Sequence, residues 1–187
     1  MMELYTRDLL LRTVTNKDIA EVARMWNFEQ GSISPKEAKM AIRNMRKNHR
    51  RNRPGRIHHL CFAVYEKDKA RIIGWCGLDG KCSPGKTVIF YLIDEACRGR
   101  GYATQCAQRL LEYAFETVGL ESVHGGCFKE NIASYKVQIK AGMVQNAFEE
   151  NGDPLFYIDK EIYAAFKNAS ANSIRSYPTS PSSTAPQ

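Results

Sequence analysis

The stretch from Thr87 to Gly119 constrains the fold of this 187-residue chain more than any other. Thr87–Asp94 reads TVIFYLID, a β-branched and aromatic run that fits a strand. A short turn with Gly99 and Gly101 follows. Gly101–Val118 then places Ala103, Cys106, Ala107, Leu110, Leu111, Ala114 and Phe115 on one helical face, and Gly119 stops the helix. This junction also has a chemistry. The glycines let backbone N–H groups turn toward one point, and a helix start adds unpaired donors and partial positive charge. Together they form a seat for a pyrophosphate, with Arg98 and Arg100 able to add charge at its rim.

The rest of the chain gives a mixed α/β order. Asp8–Val14 reads as a first strand. Thr15 with Asp18, and Ser34-Pro35-Lys36-Glu37, read as two helix starts, the second a capping box. Ile19, Val22, Ala23 and Trp26 stripe the first helix, and Ala38, Ala41, Ile42 and Met45 the second, with a loop containing Gly31 between them. The period then changes to two. His59–Tyr65 and Arg71–Leu78 predict a hairpin, Ser122–Phe128 a further strand, and Ile132–Ala141 a short helix closed by Gly142. Met143–Glu150 and Leu155–Lys160 predict a last hairpin around Asn151-Gly152. Residues 1–167 are expected to form one domain. The Ser-, Pro- and Thr-rich residues 168–187 carry too few apolar side chains for ordering and are expected to be a disordered tail.

The chain is 43% hydrophobic, enough for a real core, and its apolar runs, such as Val88–Ile93, are too short to span a bilayer. The expected compartment is the cytoplasm, without membrane association. Six cysteines lack any CxxC or CxxC/HxxxH spacing, so no metal site is expected. The net charge of +7 is local: Arg43, Arg46, Lys47, Arg50, Arg51, Arg53 and Arg56 follow one another with no acid among them. Such a run fits either a solvated helix end or a surface that attracts phosphate or a ribosome, and nucleic acid is not the expected partner.

Arg98-Gly99-Arg100-Gly101-Tyr102-Ala103 resembles the (Q/R)xxGx(G/A) acyl-CoA signature of the GNAT acetyltransferases. Asn131-Ile132-Ala133-Ser134 through Lys140-Ala141-Gly142-Met143 resembles the NxxS…KxGF pattern of its ribosomal-protein N-acetyltransferase branch, as Thr6–Arg12 resembles that branch's first strand. The resemblance covers about residues 5–160. It implies a mixed, mostly antiparallel twisted sheet, splayed between strands 87–94 and 122–128 (the fourth and fifth in this reading) and flanked by about four helices. Acetyl-CoA would be the co-substrate. Main-chain groups of Tyr91, Leu92 and Ile93 would pair with its pantetheine arm, Arg98, Gly99, Arg100, Gly101, Tyr102, Ala103 and Thr104 would hold its pyrophosphate, and Asn131 would bond the pantetheine. Ser134 would protonate the departing thiolate, with Tyr135 beside it. Gln138 stands where many members of the family place a tyrosine, and Val88 where many relatives carry a glutamate on the fourth strand.

The candidates for the base are Asp79, the favoured one, then His124, Glu149 and Glu150. Gly125-Gly126 within a strand points to a close approach by cofactor or acceptor. The acceptor is expected to be a small primary amine, an aminoglycoside-type antibiotic among the options, with His58, His59 and Trp75 lining a compact pocket. The alternative is the α-amine of a ribosomal or other protein, and the enzyme is expected to act as a monomer or homodimer. A remote alternative from another class is a P-loop NTPase, since Gly80–Thr87 (GKCSPGKT) matches GxxxxGK[ST]. That loop must open onto a helix, however, and Thr87–Ile93 has the pattern of a strand.

Overall fold

The computed structural model describes residues 1–26, 32–82 and 84–175. The expected loop at Gly31, Ser83 of the GKCSPGKT stretch and the end of the expected tail lie outside them. The elements run β1 (Glu3–Tyr5), β2 (Leu9–Arg12), a 3₁₀ turn (Asn16–Asp18), α1 (Ile19–Arg24), α2 (Pro35–His49), β3 (His59–Glu66), β4 (Ile72–Asp79) and β5 (Val88–Ile93). After a second 3₁₀ turn (Glu95–Cys97) come α3 (Tyr102–Glu112), β6 (Ser122–Gly126), α4 (Ile132–Lys140), β7 (Val144–Phe148), β8 (Pro154–Asp159) and α5 (Lys160–Arg175). The expected capping box forms at Ser34, where Glu37 accepts from the Ser34 amide at 2.8 Å, and the expected start at Thr15 proves to be a second one, Asp18 accepting from the Thr15 amide at 2.7 Å.

The sheet has the order β1-β2-β3-β4-β5-β6-β8-β7. Every neighbouring pair is antiparallel except β5 and β6, which are parallel and joined through Val88↔His124. Beyond that pairing the two strands part. β3 shows why the central strands read as near-continuous apolar runs. Its side chains alternate between two buried layers, Leu60, Phe62 and Val64 facing the layer of α3, Cys61, Ala63 and Tyr65 facing that of α1 and α2. Gly77 on β4 admits no side chain, because a Cβ there would lie 1.9 Å from the Leu60 carbonyl oxygen and 2.6 Å from the Phe90 ring.

The sequence reading missed both ends of this architecture. β1 is a three-residue edge strand, too short to show a period. The long central helix is α-helical only to Glu112, and Tyr113–Val118 widen into a π-type segment, with the Leu120 amide reaching back to the Ala114 carbonyl. β2 and β6 are shorter than expected, ending at Arg12 and Gly126. A fifth helix, α5, continues to Arg175, past the expected boundary at 167. Tertiary contacts hold it: Tyr163 stacks on Phe115 with centroids 4.8 Å apart, Phe166 fills the space above Gly142, and Tyr163 and Lys167 both reach Glu116. Packing of this kind overrides weak local propensity.

Candidate active site

Where β5 and β6 separate, a cavity of about 410 Å³ opens between β5, the start of α3 and one face of α4. Its floor is Tyr91, Leu92 and Ile93; Arg98, Gly99, Gly101, Tyr102, Ala103 and Thr104 form one wall, and Asn131 and Ser134 stand in the other. Gly99 and Gly101 have φ of 76° and 77°, left-handed values that favour glycine. No side chain caps α3 at Gly101, whereas Ser34 and Asn131 cap the starts of α2 and α4. The first amides of α3 therefore face the cavity without a side-chain acceptor, the arrangement that favours a bound anion. A Cβ added at Gly101 would meet no atom within 4 Å, so the space above it is open.

Of the residues expected here, only Arg100 stands apart from the lining. It lies 3.4 Å from Glu66, which also accepts a 2.9 Å bond from the Tyr102 hydroxyl. Arg98 is fixed by a 3.1 Å bond from Nε to the Ile93 carbonyl, which ties the glycine turn to the end of β5. Lys136 and Lys140 also line the cavity and were missed. Their spacing could have revealed them, because Ala133, Lys136, Val137 and Lys140 fall at i, i+3, i+4 and i+7 on one helical face. The described lining holds three cations (Arg98, Lys136 and Lys140) and no carboxylate.

A second groove, also about 410 Å³, adjoins the first and shares Asn131 and Ser134 with it. Its described lining has the opposite character, two carboxylates, Glu149 and Asp153, and no lysine or arginine. Asp153 accepts from the Lys129 amide at 2.8 Å and from Asn151 at 2.9 Å. Exposed Phe128 contributes an apolar wall. Glu150 is exposed and is not among the lining residues.

Ser134 stands where the two spaces meet. Its amide is held by Asn131 Oδ1 at 3.0 Å, and its Oγ lies 3.0 Å from the Tyr91 hydroxyl, which also donates to the Ser134 carbonyl at 3.2 Å. Tyr91 thus reaches from β5 across the splay to α4. The sequence reading used only its main chain. Burial pushes its phenol up to about 12, so it remains protonated through the neutral range. Tyr135 points elsewhere. One residue further along the helix is a rotation of about 100°, and its hydroxyl donates to Gln145 at 2.9 Å while its ring packs edge-on against Phe156. The close approach at Gly125 comes from the chain itself, since Gln138 Oε1 would lie 2.0 Å from a Cβ there.

The closed end of the splay carries a row of paired residues, His59↔Asp79, Asp79↔Val88, Val88↔His124 and His124↔Tyr157. Directly paired residues project from the same face, here the face shared with Phe90, Trp75 and α2. His59 Nδ1 lies 3.1 Å from Asp79 Oδ2, off the line of a good hydrogen bond, and the ring stacks on Phe90 with centroids 5.9 Å apart. Burial lowers the pKa of His59, then Lys81 lowers it further, while Asp79 opposes both. Burial and Lys86 lower that of His124. Asp79 also accepts from the Lys81 amide at 2.7 Å, so its carboxylate is already engaged. Trp75 is buried, donating to the Met25 carbonyl at 2.6 Å, and belongs to the core under α1 rather than to a pocket wall. The GKCSPGKT stretch leads into strand β5 and not into a helix, so it lacks the helix start a P-loop requires.

The acetyltransferase (GNAT) domain family matches residues 8–144. An uncharacterized N-acetyltransferase of Bacillus subtilis, YnaD, is 30% identical over 92 residues, which are 49% of this chain and 45% of that protein. The chain thus spans about half the length of the curated relatives it matches. Ribosomal-protein-S5-alanine acetyltransferase from Vibrio fischeri superposes with a TM-score of 0.72 at 16% identity, over 86% of this chain and 98% of that one. FdhC, a nucleotide-linked sugar GNAT in its apo form, gives 0.72 at 19% identity over 91% and 97%. The ribosomal L7/L12 α-N-protein acetyltransferase RimL, in complex with coenzyme A, gives 0.66 at 16% over 84% and 98%. At these identities the structures establish a shared fold. Among the described residues no helix is long and apolar enough to cross a membrane.

Proposed function

Because the chain belongs to the GNAT acetyltransferase family, we propose that it transfers an acetyl group from acetyl-CoA directly to a primary amine. One observation carries this reading: a cationic cavity and an anionic groove of similar size meet at Asn131 and Ser134. The first suits the phosphates of coenzyme A, the second an ammonium group. When bound, acetyl-CoA supplies a thioester carbonyl for the amine to attack and a thiolate to leave.

The protein's own groups have three tasks. The amides at the start of α3, with Arg98, Lys136 and Lys140, bind the phosphates. The edge of β5 freed by the splay, at Tyr91–Ile93, offers main-chain groups to the pantetheine arm, and one of its N–H groups polarises the carbonyl. Ser134, held by Asn131 and Tyr91, hands a proton to the leaving sulfur. An alkyl amine, with a pKa near ~10, is almost wholly protonated at neutral pH and must lose a proton before it attacks. We assign that step to Glu149, one of the candidates read from sequence and a carboxylate lining the groove that would hold the amine. Asp79, the residue favoured from sequence, lies with His59 at the closed end of the splay and lines neither space, out of reach of an amine held in the groove.

The acceptor we favour is a small amine such as an amino sugar, because the groove lies within the usual range of small-molecule sites, about 300–1,000 Å³, and presents two carboxylates. The α-amine of a protein N-terminus is a second reading. It is supported by exposed Phe128 at the groove and by the likeness to acetyltransferases named for ribosomal proteins. Six free cysteines fit the reducing cytoplasm.

Calorimetry with acetyl-CoA tests the donor site. Gly101→Ala and Gly101→Glu share the strain of a left-handed backbone, about 1–2 kcal/mol, but only the glutamate puts bulk and negative charge over the cradle. The expected result is binding retained by the alanine variant and lost by the glutamate variant. Equal affinity in the two folded variants would reject the site.

A further inference from the structure

Helix α2 carries a feature that acetyl transfer does not use. Lys36, Lys39, Arg43, Arg46 and Arg50 recur at intervals of three or four residues, Lys47 stands beside Arg46, and all six are exposed. With Met40 and Asn16 they line a groove of about 540 Å³ that has no carboxylate among its described residues. None of the six is ion-paired to a described carboxylate, although most of the chain's other ion pairs join a lysine or arginine to an acid elsewhere. Like charges at this spacing repel along a helix. The helix dipole explains cations in the last turn, where Arg46 and Lys47 sit. It disfavours Lys36 and Lys39 near the first turn, so the dipole cannot account for the stripe.

We propose that this stripe docks one strand of a nucleic acid through its phosphates. At 1.5 Å per residue, Lys36 to Arg50 spans about 21 Å, giving one positive charge per ~4 Å. A nucleic-acid strand also carries its charge in a single line, one phosphate per ~3.4 Å of axis when stacked in a duplex. A row of charge with this spacing complements a strand better than it complements a membrane, whose charge is spread over a plane. Met40, 55% exposed within the row, offers an apolar contact to an unpaired base. The inference does not depend on the acetyl-transfer reading.

Fluorescence anisotropy of the full chain with a labelled single-stranded oligonucleotide tests it across a salt series. Six phosphate contacts give a slope of log K against log salt of about −4, equivalent to a roughly 300-fold loss of affinity between ~50 and ~200 mM salt. Replacing Lys39, Arg43 and Lys47 with glutamine should reduce the slope to about −2, with melting by circular dichroism unchanged. A slope near zero in the unaltered protein, or one that the triple variant leaves intact, would overturn the proposal. Tighter binding of poly-glutamate or of phosphatidylglycerol vesicles at equal charge would overturn it in favour of an acidic protein or a membrane. Equal binding by single-stranded RNA and DNA supports recognition through phosphate.

Discussion

Replacing Tyr91 with phenylalanine separates a packing role from a chemical one. The ring stays and only the hydroxyl goes, together with its 3.0 Å contact to Ser134 Oγ and its 3.2 Å bond to the Ser134 carbonyl. A hydrogen bond of this kind contributes about 1 kcal/mol of stability, which in a chain of this size lowers Tm by about 2–4 °C. The same 1 kcal/mol, if it steadies the Ser134 hydroxyl at the moment the sulfur leaves, is a loss of about five-fold in kcat. Ser134→Ala should cost more, about 100-fold, because it removes the donor itself. The two are not independent: with Ser134 gone, Tyr91 has no hydroxyl left to steady, so the double variant should be no slower than Ser134→Ala. The assay is steady-state release of free coenzyme A, with acetyl-CoA affinity measured in parallel and expected to change less than two-fold. Full kcat in Tyr91→Phe, or a double variant whose losses multiply, would refute the coupling and leave Tyr91 as a wall of the cavity.

Glu149→Gln should lower kcat about 100-fold, while His59→Gln, at the closed end of the splay, should leave it nearly unchanged. A large loss of kcat in His59→Gln or His124→Gln instead would place the proton acceptor in the row at the closed end. His49 gives a stability prediction. Its Nε2 accepts from the Cys61 amide at 2.9 Å, and burial lowers its pKa from 6.5 to about 4. The unfolded chain therefore binds the proton first, so stability is full above 6.5 and falls as pH drops toward about 4. Thermal melts of His49→Gln should show less of this loss than the unaltered protein over that window, and identical curves would contradict the argument.

The lining of the cationic cavity was legible because its geometry is local. Gly99, Gly101 and the start of α3 are contiguous, and their conformation follows from glycine and helix geometry alone. Ser134 and Asn131 were legible through a motif. The Tyr91–Ser134 contact was not, since it spans 43 positions and depends on the gap between β5 and β6. The row from His59 to Tyr157 was hidden for the same reason: it follows strand register, which brings five separate strands level. Tyr135 misled because adjacency in sequence places neighbouring helical side chains on different faces. The helix from Lys160 was unreadable because its anchors, Phe115, Glu116 and Gly142, lie in other elements.

The central claim is acetyl transfer to an amine, and turnover tests it most directly. Purified protein with acetyl-CoA should be screened against small amines, amino sugars and short N-terminal peptides, with release of free coenzyme A and mass of the product as readouts. Saturable acetylation of a small amine, abolished by Gly101→Glu, is the predicted result. Turnover confined to peptides would move the acceptor to the second reading, and an absence of acetylated product from every amine, with no binding of acetyl-CoA, would contradict the account.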